Sequence, residues 1–164
     1  MSSRHDPSDD VDAIVEAWRR ERPDLDVEPL HVFSRVSRLA RLLDLDRTNA
    51  FARHDLEGWE FDVLSALRRA GEPHELSPGR LVQETLVTSG TMTNRIDRLA
   101  TKGWVERLPS PADRRGVIVR LTATGRAAVD AAMADLLTRE GELLADMPGD
   151  ERDALTRALK RLLA

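Results

Sequence analysis

Apolar residues recur three and four positions apart along most of this chain, and give way to short alternating runs only near its middle. Val11, Ile14, Val15 and Trp18 set a first helix from about Asp10 to Glu21. Arg22-Pro23-Asp24 ends it, because proline disfavours helix at the residue before it. A second, long helix begins near Glu28-Pro29, where proline is tolerated in the first turn, and carries Phe33, Val36, Ala40 and Leu43. Phe61, Leu64 and Leu67 lie three apart in a third helix, Gly58–Ala70, with Gly71 where a C-cap favours it. Residues 1–9 read as a disordered tail.

The pattern then tightens. His74-Glu75-Leu76 is a short extended piece, and Ser77 can cap a helix over Pro78–Leu86. After the turn Val87-Thr88-Ser89-Gly90, Thr88 or Ser89 caps another helix that runs to about Lys102 and stops at Gly103. Met92, Ile96 and Leu99 share one face of it, while Thr91, Asn94, Arg95, Arg98 and Lys102 occupy the other. Two β-type runs follow, Trp104–Leu108 and Val117–Leu121, joined through a polar, charged tip rich in proline and arginine. A long helix over about Ala123–Ala145 and a last one opened by Pro148-Gly149-Asp150 complete the chain. Their stripes (Val129, Met133, Leu136, Leu137; Leu155, Leu159, Leu162) exceed what one small core can cover.

Composition narrows the class. Charged residues make up 33% and aromatics 4%, which suits an aliphatic core under polar-faced helices. No apolar run approaches the ~20 residues of a membrane span, and the first residues lack a signal-peptide core, so a soluble cytoplasmic protein without a membrane partner is expected. With no cysteine, thiolate zinc sites and thiol redox chemistry are excluded, and the four histidines have no metal-ligand spacing. No nucleophile elbow or phosphate-binding glycine loop is present, so neither an enzyme nor a cofactor or metal is expected. The net charge is −4, but Ser89–Arg120 holds seven Arg/Lys against three acids, so it carries +4 and the remainder −8. A basic island on an acidic chain points to a localised anionic partner.

Helix, turn, polar-faced helix and β-hairpin, in that order, make a winged helix-turn-helix. Ser89, Thr91 and Asn94 are small enough to let the second helix approach base edges in the major groove of double-stranded DNA. Arg98 and Lys102 are placed for phosphates. At the hairpin tip, Asp113 can orient Arg114 or Arg115 for a narrow minor groove. The run LVTSGTMTNRIDRLATKGWVERLPSPADRRGVIVRLTATG resembles the signature stretch of the MarR family of bacterial transcriptional regulators. That resemblance implies an obligate homodimer built from the first and last helices, with Arg115, supported by Asp113, as the wing arginine. The two-fold symmetry of such a dimer then predicts a pseudo-palindromic operator with half-sites ~10 bp apart.

The stretches VDAIVEAWRRERPDLDVEPLHVFSRVSRL and GWEFDVLSALRRAG are similar to the urate-responsive branch of the family, which carries an added N-terminal helix. By that resemblance Trp18, Asp62, Arg95 and Arg107 match the positions that bind a small anionic effector such as urate. Trp18 would be a flat wall and the two arginines anion forks. Arg95, lying on the recognition helix, would couple effector to DNA. The same residues also read as Trp18 packing the arm, an Asp62–Arg95 salt bridge, and Arg107 on phosphate. Some relatives hold the strand arginine with an acid on the preceding helix, where this chain offers Glu84 beside Arg80.

The expected architecture is mainly α with a small β-wing, as one domain over residues 10–164. Within it, 57–122 form the winged lobe, while 10–56 and 123–164 supply dimerisation helices. The expected function is a ligand-responsive repressor. The alternative is a winged-helix regulator or interaction module without a small-molecule response.

Overall fold

The computed structural model describes residues 9–111 and 116–164. Among the described residues, seven helices and three strands run in the order α1 (Asp10–Glu21), α2 (Pro29–Ala52), α3 (Gly58–Arg69), β1 (Glu75–Leu76), α4 (Pro78–Thr85), α5 (Ser89–Thr101), β2 (Val105–Pro109), β3 (Val117–Leu121), α6 (Ala123–Leu143) and α7 (Gly149–Leu162). They fall into two compact units that divide between Leu45 and Asp46, within α2.

In the first unit, Asp9 caps α1: its carboxylate accepts the Val11 and Asp12 amides at 2.8 and 3.2 Å, and Asp12 answers the Asp9 amide at 3.1 Å. This residue, read from the sequence as the end of a tail, is therefore the cap of the helix. Val11 and Val15 are buried against Val27 and Leu30. Arg35 of α2 bonds both Asp9 and Asp12 at 2.8 Å, and its guanidinium holds their carboxyls below the ordinary range. Ile14 and Trp18 of α1, and Phe33 and Val36 of α2, stay exposed.

The second unit is organised around α3. Besides Phe61, Leu64 and Leu67, it buries Val63, Ala66 and Glu60. It packs against α6 and α4, and Phe61 stacks on Phe51 with ring centroids 4.1 Å apart. Met92, Ile96 and Leu99 of α5 close the same core together with Val119 and Leu121 of β3. The sheet is antiparallel in the order β1-β3-β2, with Glu75 opposite Arg120 and Val105 opposite Leu121. Its third strand is the short piece read as extended at His74-Glu75-Leu76.

Several element ends move by a residue or two: α3 ends at Arg69, α4 at Thr85 and β2 at Pro109. The first paired residue of β2 is Val105 rather than Trp104, because the Trp104 amide bonds Leu99 O at 3.0 Å and completes the exit from α5. Gly103 supplies the positive φ of 72° that this exit needs. α5 itself ends at Thr101, with Lys102 as its cap, and α6 at Leu143.

The apolar stripe read along α6 is not one surface. Val129, Ala132 and Leu136 are buried in the core, whereas Met133 and Leu137 are exposed. Nothing on α7 is buried, and Leu155, Leu159 and Leu162 all face out.

Candidate nucleic-acid interface

Two caps set the helix pair. Ser77 Oγ accepts the Arg80 amide at 3.2 Å to start α4, and Thr88 Oγ1 accepts the Thr91 amide at 3.3 Å to start α5. The cap of α5 is thus Thr88, and Ser89 is its first residue. Ser89, Thr91, Asn94, Arg98 and Lys102 are exposed opposite the buried Met92, Ile96 and Leu99, while Arg95 is half-buried. The Thr91 hydroxyl bonds that of Thr88 at 2.9 Å, and the Thr93 hydroxyl turns back to Ser89 O at 3.1 Å. The Asn94 side chain makes no hydrogen bond among the described residues, so its amide is free for a base or phosphate.

The two cations read as phosphate ligands are already engaged. Arg98 donates to Glu57 at 2.6 Å and lies 4.6 Å from the ring of Trp59, whose indole N–H bonds the other Glu57 oxygen at 2.7 Å. Lys102 Nζ donates to Glu60 Oε2 at 2.8 Å and to the Asp55 carbonyl at 3.2 Å, and lies 4.4 Å from the Trp104 ring. Glu60 Oε1 is 2.7 Å from the same ammonium without hydrogen-bond alignment, so there the contact is one of charge alone. Glu60 is 0% exposed and takes the Glu57 amide at 2.9 Å. The start of α3 thus carries two acids that grip the end of α5. Helix polarity favours both, acids at an N-terminus and a cation at a C-terminus.

Glu57, Trp59 and Glu60 were not singled out in the sequence. The signal for them was the Glu57/Glu60 spacing at the head of a helix, the pattern of a reciprocal cap.

The Trp59 N–H, and after it Arg98, hold the Glu57 carboxyl below the ordinary glutamate range. Because the folded value is the lower one, this contact contributes fully above the ordinary range and is lost as pH falls through the folded value. The Trp59 indole N–H resonance is expected to shift only in that acid window, and Glu57→Gln should erase the transition. A transition centred above the ordinary carboxylate range would contradict this arrangement.

On the hairpin, Arg107 of β2 reaches across to α5, 2.8 Å from Asp97 and 3.4 Å from the Thr93 carbonyl. The acid holding the strand arginine therefore comes from α5 itself. Glu84 of α4 instead pairs with Arg80 at 3.0 Å and Arg69 at 3.6 Å. The Ser110 amide bonds Gly116 O at 3.0 Å at the last described rung of the hairpin. Asp113, Arg114 and Arg115 lie outside the described residues.

The four residues matched to an effector site are distributed as follows. Trp18 is 48% exposed and lines an open apolar hollow of about 380 Å³ with Ile14, Ala17 and Glu21. Asp62 is exposed on α3 and makes no ion pair among the described residues, so the Asp62–Arg95 bridge considered from the sequence is not formed. Arg95 lies 5.4 Å from the Trp59 ring, with no carboxylate partner among the described residues. Arg107 is held by Asp97 as above. Among the described residues there is no group of three potential metal ligands, and no helix long and apolar enough to cross a membrane.

A family model described as the MarR family matches residues 54–116, the stretch that contains α3 to β2. The HTH-type transcriptional regulator PecS of Dickeya dadantii is 37% identical over 153 residues, spanning 93% of this chain and 92% of that protein. The chain belongs to the MarR family. MarR of Salmonella typhimurium is 34% identical over 144 residues, or 80% of this chain and 95% of that one. Among solved structures, an E. coli MarR mutant complexed with operator DNA aligns with TM-score 0.64 and 30% identity, over 85% of this chain and all (100%) of that one. A further MarR structure aligns with TM-score 0.67 at 30% identity, covering 81% and 95% of the two chains. The observed helices and three-stranded sheet are thus a MarR-type winged helix, and this family is one of transcriptional regulators rather than enzymes.

Proposed function

We propose that this MarR-family chain is a homodimeric repressor that reads a pseudo-palindromic operator and leaves it when a small anion binds. The observation that carries the DNA reading is α5: a capped helix whose inner face is fully buried and whose outer face offers Ser89, Thr91 and Asn94. Short polar groups at the head of a helix suit base edges, and the positive helix end suits phosphate. In this reading Arg98 touches phosphate from its seat on Trp59. Lys102, tied to the buried Glu60, fixes the angle of α5. Arg115, oriented by Asp113 and flanked by Arg114, enters the minor groove.

The dimer is supported by α7. A 14-residue helix with no buried residue is marginal in water alone, so its leucines call for a partner surface. The exposed Met133 and Leu137 of α6 add to the apolar area that a second copy would cover.

The effector is read as a urate-like anion, in keeping with a place in the urate-responsive branch and its added helix, here α1. Arg95 is a half-buried cation without a carboxylate partner among the described residues, and Arg107, Trp18 and Asp62 complete the matched set. An anion recruiting Arg95 would draw on the helix that reads DNA, which supplies the coupling.

The test is a gel shift on DNA upstream of its own gene. A shifted band is expected, with affinity falling steeply and log-linearly as salt rises. Urate should raise the melting temperature of the wild type and release the DNA. Arg95→Ala should abolish both responses while the shift survives. No shift at low salt would sink the DNA reading, and an unaltered urate response in the variant would sink the coupling.

A further inference from the structure

α4 does not end on a glycine. It ends at Leu86, in the left-handed conformation with φ 55° and ψ 39°. A side chain with a Cβ is disfavoured there, and glycine or asparagine would adopt it with less strain. The same residue is 92% exposed, among the most exposed of the large apolar side chains described. The turn is therefore unfavourable twice over, in backbone strain and in apolar surface left in water.

Its neighbours do not explain it. The Thr85 hydroxyl closes the helix by bonding Leu81 O at 2.8 Å, and Val87 packs against the core, so the turn is anchored on both sides of Leu86. The leucine stands two residues before Thr88, the cap of α5. A feature that folding alone disfavours, at the head of a helix proposed to enter a groove, is most simply explained by what the groove presents.

We infer that Leu86 is a specificity-determining contact of the DNA-bound state, packing against the 5-methyl group of a thymine at the edge of each half-site. That methyl is the one apolar group on a base edge in the major groove, and it is absent from A, G and C. A leucine there recognises thymine without a hydrogen bond, complementing the polar Ser89, Thr91 and Asn94. Strain at Leu86 would then be tolerated because the contact is made only with DNA. This inference rests on the DNA-binding reading above.

The experiment uses the full-length wild type to enrich a duplex from a random pool, then measures its affinity alongside Leu86→Gly and Leu86→Asn by fluorescence anisotropy. Both substitutions suit the left-handed backbone, and Leu86→Gly should melt at or above the wild-type temperature. Both should bind the duplex at least about fourfold more weakly, the worth of burying roughly one methyl group. Replacing thymines one at a time with deoxyuridine, which lacks only the methyl, should identify one per half-site that weakens the wild type by a similar factor. The same replacement should leave Leu86→Asn unaffected. Variants that bind as tightly as the wild type would overturn the inference alone. So would a defect that persists equally on every deoxyuridine duplex, or a changed oligomeric state with unchanged affinity, which would make the leucine a protein contact. A wild type that enriches no duplex would overturn the DNA reading and this inference with it.

Discussion

Lys102→Met is expected to destabilise the fold by about 3 kcal/mol, a large effect for an exposed-side lysine. The partner it leaves behind is Glu60, which is 0% exposed and has the Lys102 ammonium 2.7 and 2.8 Å from its two oxygens. Removing one member of such a pair strands a charge in the core, and typical losses are about 3–5 kcal/mol. The lower end applies here because the lysine side chain is 37% exposed and water would reach part of the vacated space. The Glu57 amide and the N-terminal end of α3 also keep partial compensation. In urea denaturation the midpoint should fall by about 1–2 M at a slope of about 1.5–3 kcal/mol per M. The double variant Glu60→Gln, Lys102→Met should recover much of the loss, since no charge is then left buried. A single variant within about 0.5 kcal/mol of wild type would show that the pair is not coupled. The same protein also separates positioning from contact. If Lys102 sets the angle of α5 without touching phosphate, the salt slope of DNA binding stays at its wild-type value, whereas a lost phosphate contact lowers it by about 1.

Gly125→Ala should be almost as damaging, against the usual sign for such a change. In an ordinary helix, alanine is more favourable than glycine by about 1 kcal/mol. Gly125 lies in the first turn of α6, where its amide bonds the capping Thr122 hydroxyl at 3.0 Å. That hydroxyl donates to Gly103 O at 2.8 Å, and the Thr122 amide bonds Trp104 O at 3.0 Å. The helix start is therefore pressed onto the backbone that leaves α5. A Cβ on residue 125 would stand 2.1 Å from the Trp104 carbonyl oxygen and 2.9 Å from its carbon. Neither atom belongs to a flexible side chain, so α6 or β2 must shift, at about 2–3 kcal/mol net. For a chain of this length that lowers the melting temperature by about 5–10 °C. Gly141→Ala is the internal control: it lies in the same helix with nothing within 4 Å of the new Cβ, and should raise stability slightly. Equal behaviour of the two variants would refute the close approach.

How legible this was in the sequence depends on how local each feature is. The split of α5 into inner Met92, Ile96, Leu99 and outer polar residues followed directly from helical periodicity. The cap at Ser77, and a cap at Thr88 or Ser89, were legible too, because side chain and amide lie within one turn; the structure settles the second on Thr88. The Glu57/Glu60 spacing could signal a reciprocal cap, but not the grip of Glu57, Trp59 and Glu60 on α5. On α3 alone, Glu60 adjoins an apolar stripe and reads as its polar rim, and only the arrival of Lys102 from α5 makes its burial tolerable. Leu86 is illegible for the opposite reason, since a leucine at the end of an amphipathic run looks like core until the backbone turns left-handed. Along α6, the spacing of Val129, Met133, Leu136 and Leu137 suggested one surface, but at 3.6 residues per turn the four straddle the boundary between core and solvent. β1 needed β3 for its pairing, and the Arg120–Glu75 contact that joins them links distant parts of the chain.

The tie between Arg107 and α5 has a mechanical consequence. Its ion pair with Asp97 is partly exposed and adds little to stability, yet it joins the hairpin to α5 crosswise. With the Trp104 amide on Leu99 O and Thr122 on Gly103 and Trp104, α5 and the base of the hairpin are tied into one jaw. In the proposed dimer, two such jaws make a caliper, and its remaining adjustment is the gap between them. The proposed effector, acting on such a tool, would reset a distance, so operators with altered half-site spacing should be the ones that keep the protein when its proposed site lets go.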